Sequence, residues 1–71
     1  MLPLNHQASQ LAIMNIKKQI GLMIAQLERE NAQLDKILRA FSKEYSEDEI
    51  NEVLDQKLKN LELIEKLKRG L

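Results

Sequence analysis

The 71-residue chain is expected to fold as an all-α, two-helix antiparallel hairpin, a long helix followed by a shorter one, that assembles with further helices into a coiled-coil-like bundle. Three observations lead there. The first is a shortage of sheet and turn formers: two Gly, one Pro, one Val and no Thr leave a β-sheet without its preferred residues. The second is an apolar residue at every seventh position, Ile13, Ile20, Leu27, Leu34 and Phe41. The third is the absence of any staple. A chain below about 80 residues rarely draws more than ~3–5 kcal/mol from one core and leans on disulfides, metals or oligomerisation. With no Cys and one His, only oligomerisation remains.

The long helix comes first. Ile16, Met23 and Ile37 flank the seven-residue row on one side, with Glu30 interrupting them. Ile24, Leu38 and Tyr45 flank it on the other, with Asn31 in line. Three adjacent rows make an apolar stripe wider than a bare two-row seam. No Pro interrupts the chain after Pro3, and good helix formers dominate residues 26–40. The pattern predicts helix 1 over about 9–43, with Asn5 as the alternative start.

The break falls within residues 42–46, with the turn at 44–46. Ser46 and Glu49 form a Ser-x-x-Glu capping box, and Glu47, Asp48 and Glu49 place negative charge at the positive end of the next helix dipole. Helix 2 is predicted over about 47–69, where Lys66, Lys68 and Arg69 suit its negative end and Gly70 can stop it. Its inward residues are expected to be Ile50, Val53, Leu54, Leu58, Leu61, Ile64 and Leu71. Residues 1–71 thus form a single domain.

The two helices differ in length. Folding back about residue 45 sets Arg69 opposite Gly21 and leaves residues 9–20 without an intramolecular partner. Five large aliphatic side chains lie there, Leu11, Ile13, Met14, Ile16 and Ile20. Leaving them in water forgoes about 1.5–3 kcal/mol each. A second chain is the simplest cover, so the expected interface comprises those five with Met23, Ile24, Leu27 and Asn31, in a dimeric four-helix bundle. A buried amide at Asn31 can fix register or oligomer number. Leu63 points almost opposite to Leu61, and with Leu67 it marks a candidate second contact surface. Lys57, in the middle of the helix 2 stripe, is expected to reach past the core by its aliphatic stem rather than to pair with an acid. Met14 and Met23 are read as core filling.

Charge narrows the function. Eleven Lys+Arg balance eleven Asp+Glu, which argues against a general polyanion binder. A local Lys/Arg patch at the open end keeps a dimeric nucleic-acid-binding regulator as the alternative. The longest apolar-leaning stretch, residues 19–27, falls far short of the ~20 apolar residues that span a bilayer. The N-terminus lacks the basic start of a secretory signal. Membrane and nucleic acid are therefore not the expected partners, and the expected location is cytoplasmic. No Gly-rich phosphate loop or nucleophile–base pairing is present, and His6 has no second ligand residue nearby. A two-helix unit is also expected to enclose no pocket of the few hundred Å³ that ligand sites need. No catalytic, cofactor-binding or metal residues are assigned. The expected role is non-enzymatic: an oligomeric regulator, adaptor or chaperone that binds a partner helix.

Overall fold

A computed structural model describes the backbone of residues 2–71 and the side chains of residues 11–71. The expectation for His6 therefore lies outside the described side chains. Two helices, α1 (Leu2–Phe41) and α2 (Glu47–Arg69), lie against each other in a rod 65 Å long.

Helix α1 begins some seven residues before the expected start. Pro3 is no obstacle, because the first turn of a helix leaves its amides unpaired in any case and a proline lacks only that amide. From Leu4 to Phe41 the sole weak helix former of consequence is Gly21, and a single glycine costs too little to stop a helix of this length. The helix ends at Phe41 rather than 43, where the carbonyl of Phe41 accepts from the amides of Glu44 (2.9 Å) and Tyr45 (3.2 Å). The Phe41 and Tyr45 rings lie 6.1 Å apart across this end. No residue here needs a left-handed backbone.

Helix α2 occupies the expected span, and the capping box is its reason. Ser46, in extended conformation, accepts at Oγ from the Glu49 amide (3.2 Å), while Glu49 Oε1 accepts from the Ser46 amide (3.1 Å). Two amides that a helix start leaves free are thereby satisfied. At the other end Gly70 stays right-handed, so its use is room rather than a left-handed turn. A Cβ placed there would stand 3.4 Å from Ile20 Cδ1. That approach also fixes the pairing: the end of α2 sits beside Ile20, next to the Gly21 that the fold-back predicts.

The seam differs from the expectation in its rotation about α2. Ile50, Val53, Lys57, Asn60, Ile64 and Leu67 are the residues of α2 that lose solvent, while Leu54, Leu58, Leu61 and Leu71 are exposed. These six follow an alternating three- and four-residue spacing, as do Ile20, Ile24, Leu27, Asn31, Leu34 and Leu38 on α1. This is the narrow two-row seam of an antiparallel coiled coil. Polar matching decides the rotation. In this arrangement Asn60 meets Asn31 and Lys57 meets Asp35, whereas turning the leucine row inward would leave both Asn31 and Asp35 facing hydrocarbon. Fully apolar coverage is slight, with Ile24 and Ile64 the buried hydrophobic residues among those described.

Candidate functional site

The polar layer at mid-seam is a closed chain of hydrogen bonds. Gln56 Nε2 donates to Asn60 Oδ1 (3.0 Å), Asn60 Nδ2 donates to Asn31 Oδ1 (2.9 Å), and Asn31 Nδ2 donates to the Lys57 carbonyl (3.3 Å). One helical turn away, Lys57 Nζ pairs with Asp35 Oδ1. Lys57 thus takes the partner that sequence reasoning ranks second, and its half-buried stem lines the seam as it does so. Every buried side-chain polar atom among the described residues has a partner. Asn60 is the residue that sequence reasoning misses. The spacing Ile50, Val53, Lys57, Asn60, Ile64 and Leu67 carries the signal, but it is hidden by a parallel row of leucines that looks more apolar.

Ile24 and Asn31, two members of the expected inter-chain interface, are therefore spent within the hairpin, and Ile20 and Leu27 are half-covered by it. The rest of that interface stands free. Leu11, Ile13, Met14 and Ile16 are 61%, 53%, 65% and 58% exposed, because α2 ends at the level of Ile20. Met23 is exposed as well, so Met14 and Met23 lie outside the core of the single hairpin. Residues 2–19 form an arm of helix about 27 Å long. At 3.6 residues per turn, Leu11, Ile13, Met14 and Ile16 point over about 220° of its circumference, more than one neighbouring helix can cover.

The hairpin proper adds further uncovered hydrocarbon. Leu54, Leu58 and Leu61 make an exposed row on α2, and Phe41 and Leu63 are exposed too. Of the two residues proposed as a second contact surface, Leu63 is free and Leu67 is half-buried in the seam. Glu30, Gln33, Leu34, Gln56 and Asn60 line an open groove of about 220 Å³. It stays below the ~300–1,000 Å³ of small-molecule sites. Its lining is the outer edge of the polar layer.

Charge is segregated along the rod. Residues 35–56, at the turn end, carry seven acids and three bases, while residues 1–27 carry Lys17 and Lys18 and no acid. The end of α2 brings Lys66, Lys68 and Arg69 to the base of the arm, where Arg69 lies 3.9 Å from Glu65. Among the described residues no three His, Cys, Asp or Glu gather as metal ligands, and no helix is long and apolar enough to cross a membrane.

No family model matches the chain, and no curated protein or solved structure does either.

Proposed function

We propose that this chain is a non-enzymatic protein–protein interaction module, a small helical regulator or adaptor that works by laying its arm and flanking apolar rows against other helices. The carrying observation is the ratio of covered to uncovered hydrocarbon. Ile24 and Ile64 are buried, while twelve large hydrophobic residues are exposed among those described. The surface area makes the same point. The chain exposes 6074 Å², whereas a compact monomer of 8.3 kDa is expected to expose about 4,600 Å². The excess, roughly 1,500 Å², is ample for one side of a standard interface, which takes about 800 Å² per partner.

Docking would follow the helix-face mode, with Ile13 and Ile16 as anchors spaced to lie on adjacent turns. A soluble life inside the cell fits this reading, since the module needs a folded partner rather than a lipid surface. Its first test is the state of association. Sedimentation equilibrium at micromolar concentration should report a mass of at least twice 8.3 kDa. A stable, fully helical monomer would sink the proposal, because such a monomer would show that the exposed surface needs no cover.

A further inference from the structure

We infer that the occupant of the uncovered surface is a second copy of this chain, packed antiparallel, so that each arm lies along the turn-proximal half of the other hairpin. This rests on the interaction reading above and names its partner and orientation. Three features of the molecule choose between the two ways of laying one rod beside another.

The first is cross-section. Each copy is one helix thick over residues 2–19 and two helices thick from Ile20 to the turn. Set parallel, two copies give a two-helix stretch along both arms and four helices elsewhere. Set antiparallel with their ends level, they give three helices at either end and four at the centre. Leu11, Ile13, Met14 and Ile16 spread over more of the arm than a two-helix seam covers, so they need the second neighbour that only the antiparallel arrangement brings.

The second is complementarity of apolar surface. Phe41, Leu54 and Leu58 are exposed on the turn-proximal half, and the arm is exposed at the other end of the same rod. Antiparallel packing brings each uncovered region of one copy against the other uncovered region of its partner. The total length permits it, since the 65 Å rods overlap from end to end without overhang.

The third is charge. Residues 35–56 carry a net charge of −4, from seven acids and three bases. Parallel packing sets two such ends side by side, within the ~8 Å over which charges are felt at physiological salt. Antiparallel packing sets each beside the outer part of the other copy's arm, whose sequence carries no acid. The repulsion between like ends is thereby relieved, and orientation follows from it.

The absence of cysteine makes the test clean, because one introduced thiol takes one spin label. Ser42→Cys marks the turn and Ala12→Cys marks the arm, and both sites are exposed. In dimers of labelled S42C the two labels should sit roughly 50 Å apart, most of the rod length. In mixtures of labelled S42C and A12C, dipolar EPR should show a new short distance below about 25 Å. A short S42C–S42C distance would overturn the antiparallel arrangement while leaving self-association standing. A monomer by sedimentation, with no dipolar coupling in any sample, would overturn self-association itself.

Discussion

Asn31 and Asn60 show how two residues can select one alignment out of several. The seam repeats every seven residues, so α2 could slide one heptad along α1 and still present apolar side chains. Such a slip would set Asn31 against Val53 or Leu67, and Asn60 against Leu38 or Ile24. Each amide would then be buried without a partner, at a cost of about 1–3 kcal/mol apiece. In the observed alignment both are satisfied, through the 2.9 Å bond between them and their outer bonds to Gln56 and the Lys57 carbonyl. The pair therefore acts more by excluding wrong registers than by adding stability. Asn31→Leu alone should destabilise the hairpin by about 1–3 kcal/mol, because it strands Asn60. Replacing both residues with leucine should restore or exceed the original stability and loosen the choice of register. Urea denaturation of the four proteins of this cycle gives the coupling energy, expected at about 0.5–3 kcal/mol. Additive single effects would mean that the two amides do not act together.

At the scale of the element, each helix carries one local feature whose effect can be isolated. In α2 it is the cap. The hydrogen bonds from Ser46, its backbone amide foremost, hold the Glu49 carboxyl below its ordinary pKa. A carboxylate whose pKa is lower in the folded chain contributes stability that is complete above its unfolded pKa. That contribution is lost as pH falls through the lowered, folded value. Glu49→Gln keeps the reach back to the Ser46 amide but cannot titrate. The variant should therefore show a smaller loss of stability between pH 7 and pH 3 than the parent, read from thermal unfolding at each pH. Equal losses would show that the cap carboxylate does not report on folding. In α1 the feature is Gly21, mid-helix with open space where its Cβ would be. Gly21→Ala should raise stability by about 0.5–1 kcal/mol, through reduced freedom of the unfolded chain. For a chain of this size that is an increase of a few degrees in the thermal midpoint. A fall instead would reveal a neighbour pressing on this face in the assembled protein.

At the scale of the molecule, periodicity and caps were enough to foretell two helices, their antiparallel pairing and the start of α2 at Glu47, because those depend on local spacing and on Ser46 and Glu49. The rotation of α2 was not legible in the same way. It turns on which polar groups can meet across the seam, and neither Asn60 nor Lys57 announces its partner from its own helix. The apolar arm was legible as a surplus, since counting helix lengths locates Leu11, Ile13, Met14 and Ile16 beyond the reach of α2. That surplus yields a prediction about assembly that leaves the hairpin seam intact. Ile13 and Ile16 lie beyond the end of α2, so changing both to Asn removes nothing from the contact between the two helices. If the arm is buried on association, each substitution forgoes about 1.5–3 kcal/mol, and the pair should weaken the dimer by at least ~100-fold at about 1.4 kcal/mol per tenfold. Sedimentation equilibrium over a range of concentrations measures that shift. Thermal melts of the parent should also rise in midpoint with protein concentration, since folding and association are then one equilibrium. The same substitutions at unchanged affinity would place the interface elsewhere, on the row of Leu54, Leu58 and Leu61, which is the other large apolar surface that this hairpin leaves to water.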